Sequence, residues 1–234
     1  MLGAIIGDVV GSIWEFRRIK TKRSPLFSER NGITDDGVLT VAVADALLHG
    51  SDPAGSLRDW AGRVPLGRRV GGYGQKFLRW VAAATVQPPY NSYGNGGAMR
   101  VSPAAFLADT LRDCLAMAQR VTAITHNHPE DMKGALATAH AIFLARQGET
   151  PETIRVAVPE AFTCALTTAG YEDAVRNAVS LGGDADTLAA IAGGLAEALF
   201  GIPEAVRAEG MRYLPDAMKA LLVSAYAESD RDAR

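Results

Sequence analysis

Apolar residues recur at three- and four-residue spacings through most of this chain, while alternating β-type runs are few and the periodic stretches are punctuated by Gly, Pro and Asn. That pattern predicts an all-α fold. A length of 234 residues suffices to bury a sizeable core and forces no second domain. Residues 1–234 are therefore read as one domain, with the charged segment from Glu228 to Arg234 as a frayed tail.

Local signals place the helices. The first is expected from Leu2 to about Phe16, followed by a flexible polar and basic loop from Arg17 to Arg30 that ends on the turn signal Asn31-Gly32. Val38 to Leu48 reads as a mostly buried helix stopped by His49-Gly50, where Gly takes the left-handed C-terminal position. Asp52-Pro53, His128-Pro129 and Thr150-Pro151 each announce a helix with Pro at its first position, and Gly148 and Gly170 read as stops. Leu188 to Phe200 is rich in Ala, Leu and Gly, and its Gly193-Gly194 pair lets another helix approach closely. This is the expected central buried helix, and Glu197 argues against a membrane span there.

Composition narrows the function classes. Hydrophobic residues at 48% and charged residues at 21% are an ordinary globular mixture that excludes long disorder. A net charge of -2 supplies no basic field, which argues against nucleic acid as a stable partner. The apolar opening Met1 to Ile6 is interrupted by Asp8 and preceded by no basic residue, so it fits neither a secretory signal nor a membrane anchor. A cytoplasmic location is expected. Cys114 and Cys164 each sit among apolar residues and read as reduced, buried thiols. With no heptad or exposed-patch signal, a monomer is expected.

Chemistry concentrates in two acidic clusters. Thr34-Asp35-Asp36 precedes the Val38 helix, and Asp184-Ala185-Asp186-Thr187 precedes the Leu188 helix. For either cluster alone, helix capping is an equally good account, since Asp and Thr are favoured at helix starts. Capping needs one carboxylate per helix, however, and each cluster offers two plus a hydroxyl, an excess whose repulsion calls for a cation. Such oxygens suit Mg²⁺, Mn²⁺ or Ca²⁺, and the histidines His49, His126, His128 and His140 form no zinc-type constellation with cysteine.

Gly7 and Gly11 lie four apart, on one helix face where small residues permit close packing, and Glu15 is expected on that same face. Spacing alone makes Glu15 an ordinary helix-end charge. The stretch Asn91-Ser92-Tyr93-Gly94-Asn95-Gly96-Gly97-Ala98-Met99-Arg100 places glycines before a helix, so that backbone N–H groups can face a phosphate. The basic run Arg17 to Arg23 is either a solvated loop or part of a lid or acidic-partner contact. His128 reads as a helix start, His140 as a helix-face residue, and Trp14, Trp60 and Trp80 as packing anchors.

In order along the chain, Gly-Asp-x-x-Gly-x-x-x-Glu, Thr-Asp-Asp, Ser-Tyr-Gly-Asn-Gly-x-x-Met-Arg, Thr-His-x-His-Pro and Gly-Gly-Asp-Ala-Asp-Thr resemble the ADP-ribosylglycohydrolase family, of the dinitrogenase reductase-activating glycohydrolase or ADP-ribosyl-acceptor hydrolase type. The resemblance spans roughly Gly3 to Gly201. It implies a compact orthogonal helical bundle and a binuclear Mg²⁺ or Mn²⁺ centre with Thr34, Asp35, Asp36, Asp184, Asp186 and Thr187 as ligands. Glu15 and Asp36 would be the catalytic carboxylates, and Ser92, Gly94, Asn95, Gly96 and His126 would line an ADP-ribose site. Tyr90 and Tyr93 are candidates for adenine contact.

The implied activity is metal-dependent cleavage of the glycosidic bond between ADP-ribose and an acceptor, with an ADP-ribosylated arginine side chain of a protein as the default. The alternatives are a catalytically weak ADP-ribose-binding protein and a hydrolase of a free metabolite such as O-acetyl-ADP-ribose. One position departs from the family pattern. Gly37 follows Asp36 where Thr is common, supplies no hydroxyl, and is expected to loosen the orientation of the neighbouring ligands.

Overall fold

A computed structural model describes residues 1–66, 72–85, 87–157 and 166–232. Every regular element among them is helical, as the periodicity predicts. In chain order these are α1 (Leu2–Gly11), α2 (Asp35–Leu48), α3 (Pro53–Arg63), α4 (Gln75–Ala82), α5 (Gly96–Met99), α6 (Ser102–Leu107), α7 (Leu111–Ala123), α8 (Pro129–Arg146), α9 (Pro151–Ala157), α10 (Tyr171–Leu181), α11 (Ala185–Phe200), α12 (Glu204–Met211) and α13 (Asp216–Asp232). Among the described residues, no helix is long and apolar enough to cross a membrane.

The pairing of α1 with α11 organises the bundle. A Cβ added at Gly3 would lie 2.4 Å from the Gly193 carbonyl oxygen, one at Gly7 would lie 2.0 Å from that of Ala189, and one at Gly11 would lie 2.4 Å from that of Ala185. Numbers rise by four on one helix while they fall by four on the other. The two helices are therefore antiparallel, with backbones in contact along a seam that only missing side chains permit. The glycine spacing in α1 and the Gly193-Gly194 pair find their use here. A further consequence fixes the site: the start of α11, with Asp184 and Asp186, lies against the end of α1.

α11 is buried from Ala185 through Thr187 and again over Ala192–Glu197, as expected of a central helix. Glu197 carries a charge into this interior, and it is satisfied there. It accepts from the Gly3 N–H at 2.8 Å and from the Tyr226 hydroxyl, which in turn accepts from the Leu2 N–H at 2.8 Å. Tyr226→Phe strands both a buried carboxylate oxygen and a backbone donor. We expect it to destabilise the fold by about 1–3 kcal/mol in urea denaturation, and a change below about 0.5 kcal/mol would contradict this network.

Several boundaries follow the expected signals. α2 ends at His49 with Gly50 at φ 63°, Asp52 caps α3 through its side chain, and His128 caps α8 by accepting from the Glu130 N–H at 3.2 Å. Trp60 and Trp80 are buried, and Trp14 packs against the core while half-buried. Cys114 is buried as predicted, whereas Cys164 lies outside the described residues.

Other expectations are corrected. The first helix stops at Gly11, not near Phe16, and tight turns follow it, with the Trp14 N–H donating to the Gly11 carbonyl. Glu15 thus leaves the helix face. Gly170 opens α10 where a stop was expected. Glu228 starts no loose tail either, because α13 continues to Asp232 and Ser229 donates to the Phe106 carbonyl at 3.0 Å while accepting from Arg146.

Candidate active site

Asp8 is the hidden support of the first acidic cluster. It is fully buried on α1 and accepts from the Thr34 N–H (3.0 Å), the Thr34 hydroxyl (2.5 Å) and the Gly37 N–H (3.1 Å). A carboxylate from one helix therefore satisfies donors at the start of another, where the dipole favours negative charge. Thr34 caps α2 as well, accepting from the Asp36 N–H at 3.3 Å. Its hydroxyl thus faces Asp8 and the helix start, with one lone pair left, and Thr34 is not among the residues lining the adjacent pocket.

The Gly37 departure has a local cause. A Cβ there would meet Ile33 Cδ1 at 2.3 Å and Asp8 Oδ2 at 2.6 Å. The bare backbone lets Asp8 reach the Gly37 N–H, so the glycine tightens the support beneath Asp35 and Asp36 rather than loosening it.

The second cluster arrives through the turn Gly182-Gly183, both with positive φ (69° and 89°), which delivers Asp184 to the start of α11. Carboxylate oxygens of Glu15, Asp184 and Asp186 lie within 4.8 Å of one another. Asp35 and Asp36 face the same pocket, of about 420 Å³. Four larger clefts, of about 450 to 610 Å³, contain none of these carboxylates.

Crowding of like charge in a sheltered site shows in the ionisation of Glu15, Asp186 and Asp36. Burial, then Asp184 and Asp35, pushes Glu15 up to about 7. Asp186 is pushed up to about 9 by burial and a shared hydrogen bond with Asp184, with repulsion from Asp8 and Glu15 added. Asp36 rises well above the usual carboxylate range, through burial and then Asp8, Asp35 and Asp186, while the Thr187 hydroxyl works the other way. Asp36 Oδ2 and Glu15 Oε2 are buried without a hydrogen-bond partner. Hard oxygen donors, mutual repulsion and unfilled acceptor positions are together what a divalent cation satisfies.

The opposite wall comes from the Asn91–Arg100 stretch and the loop before α8. Ser92, Gly94, Asn95, Gly96 and His126 all line the pocket. Asn95 also bridges the two walls, its Nδ2 donating to Asp184 Oδ2 at 2.5 Å. Gly96 lies against the His126 ring, since a Cβ there would approach Nε2 and Cε1 at 2.6 Å. Burial and the Arg100 charge push His126 down to about 3, so its imidazole is neutral near pH 7, with Nδ1 held 2.7 Å from the Thr125 hydroxyl. Tyr90 meets the His126 ring edge-on at 6.1 Å, whereas Tyr93 is exposed and meets His128 at 5.8 Å. Of the two, Tyr90 lines the pocket.

Sequence reasoning gave no role to several residues in or behind the pocket. Asp8 stood inside a quoted motif, yet only the fold shows that it props Thr34. Arg100, also within a motif, is fully buried, donates to Thr125 Oγ1 at 2.7 Å, and sets a positive charge behind Asp35 and Asp36. Phe77 lines the pocket from α4, in a stack with Tyr73 (5.4 Å) and Trp80 (5.9 Å); the aromatic spacing of α4 was the available signal.

A family model described as ADP-ribosylglycohydrolase matches residues 1–162 and 150–232, and the chain belongs to that family. ADP-ribosylhydrolase ARH3 of Bos taurus is 27% identical over a region covering 64% of this chain and 49% of that protein. The chain thus spans about half the length of this curated relative. A solved structure titled ADP-ribosylglycohydrolase-related protein complex shares the fold, with a TM-score of 0.71 at 23% identity over 97% of each chain.

Proposed function

We propose that this protein is a metal-dependent glycohydrolase that releases ADP-ribose from an acceptor, with mono-ADP-ribosylated arginine of a protein as the first substrate to test. The observation that carries the reading is the meeting of five carboxylates, Glu15, Asp35, Asp36, Asp184 and Asp186, with the Ser92–Gly96 wall across one pocket, in a chain of this family. A volume of about 420 Å³ is in the range of small-molecule sites.

Asp35, Asp36, Asp184, Asp186 and Thr187 would hold two divalent cations, Mg²⁺ or Mn²⁺, with Thr34 contributing its remaining lone pair. When bound, such ions polarise hydroxyls or water. Asn95 orients Asp184 and thereby ties the cation wall to the ligand wall. Asp36 and Glu15, both raised above the usual carboxylate range, would take a proton from the attacking water and return it to the leaving group at the anomeric carbon. The tight support of Gly37 favours turnover over the ADP-ribose-binding alternative.

The test is a panel of ADP-ribosylated arginine, serine and cysteine peptides and O-acetyl-ADP-ribose, each with Mg²⁺, Mn²⁺ or a chelator, followed by chromatography of free ADP-ribose. Release from the arginine peptide that stops with chelator is expected. Undiminished release in chelator would overturn metal dependence, and binding of ADP-ribose without release from any member would favour the binding protein.

A further inference from the structure

We propose that the segment from Glu15 to Ser24 and helix α10 form a clasp, closed by Arg176 and Lys20, that sets Glu15 against Asp184 and thereby raises affinity for divalent cations. This rests on the metal reading above, and it makes Arg176 and Lys20 positioning residues.

Glu15 lies beyond the end of α1, in turns held locally by the Trp14 and Arg17 N–H groups, so no helix fixes it. Farther along, the segment is fastened to α10. The Arg176 guanidinium is steadied by its own-helix neighbour Glu172 (2.9 and 2.7 Å) and reaches across to donate to the carbonyls of Lys22 (3.0 Å) and Ser24. The Lys20 ammonium donates to the carbonyl of Leu181, the last residue of α10, where the helix leaves acceptors unfilled and its dipole favours a cation. Lys22 pairs with Asp173.

The other side of the clasp is the turn that delivers Asp184. A Cβ at Gly182 would lie 3.3 Å from Lys20 Nζ and 3.5 Å from Arg18 Cβ, so the segment rests directly on that turn. One fastening thus restrains both ends of the Glu15, Asp184 and Asp186 group. Exposed charge contacts of this kind contribute little to global stability, and their effect here is on where two carboxylates sit. The basic run is accordingly neither a free solvated loop nor wholly available to an acidic partner.

Calorimetric titration of the full chain with Mn²⁺ tests this, alongside thermal melts of the metal-free proteins. Arg176→Ala and Lys20→Met are each expected to raise the Kd about ten-fold with little change in melting temperature. In a Glu15→Gln background, Arg176→Ala is expected to raise the Kd by only about three-fold or less, because one of the two carboxylates that the clasp sets against each other is gone. Parent-like Kd values in both single variants, or a ten-fold loss that persists in the Glu15→Gln background, would overturn the clasp. If Arg176→Ala does not fold, Lys20→Met, which alters one exposed side chain, decides alone. A parent that binds neither Mn²⁺ nor Mg²⁺ refutes the metal reading and the clasp with it. Binding that is lost in Asp184→Asn but unmoved in the clasp variants refutes the clasp only.

Discussion

Asp184→Asn is expected to lower the rate of ADP-ribose release roughly a thousand-fold, and Asp36→Ala to do the same. The two act on opposite halves of the ligand set. Asp184 is exposed, so its substitution leaves the core untouched, and the amide keeps an oxygen to which Asn95 can donate. Any loss there reports charge and cation binding, not folding. Asp36 is buried, carries an unpartnered Oδ2 and lies against Asp8, Asp35 and Asp186. Its removal relieves repulsion, so the metal-free protein should hold or gain stability while activity falls. Initial rates on the arginine peptide at saturating Mg²⁺, with melting curves beside them, check both, and full activity in either variant would sink the proposed roles.

Among the described glycines, Gly7→Ala is expected to be the most damaging added methyl. Its Cβ would stand 2.0 Å from a carbonyl oxygen of α11, and backbone cannot swing aside as a side-chain tip can. The helices must separate, opening the seam on both sides of the substitution. Over-packing of this kind costs about 3 kcal/mol, which for a domain of this size lowers the melting temperature by about 10 °C. Gly134→Ala in α8 is the matched control. No atom lies within 4 Å of a Cβ at that helical position, so alanine should stabilise by about 0.5–1 kcal/mol. Equal melting temperatures for the two variants would show that the seam is not close-packed.

Periodicity and capping chemistry made the helical class, the start of α3, α8 and α9, and the buried character of α2 and α11 readable from sequence. They failed where tertiary contact overrides local preference. Residues Ser12 to Phe16 keep a helical pattern, yet the chain turns because Gly11 is pressed onto Ala185 and Ser12 donates to the Val9 carbonyl. Gly170 reads as a stop by its residue type, yet it stands at the start of α10. Ser229 looks like tail until Phe106 and Arg146 are found beside it. At the site, motifs marked the residues that face the pocket, including all five carboxylates. They were silent on residues that work from behind, since nothing local to Asp8 reveals that its partners lie in the Thr34–Gly37 turn, and nothing local to Arg176 reveals the carbonyls of Lys22 and Ser24.

Helix α1 is only ten residues long, yet it touches both halves of the carboxylate set: Asp8 holds the Thr34 turn, and Gly11 abuts Ala185 and Asp186. It is therefore a gauge block between two segments some 150 residues apart in the chain. A single residue inserted between Asp8 and Gly11 would rotate one contact by about 100° relative to the other. Length variation in descendants of this sequence should accordingly collect in the loops and at the helix ends, while the count of residues between those two positions stays invariant.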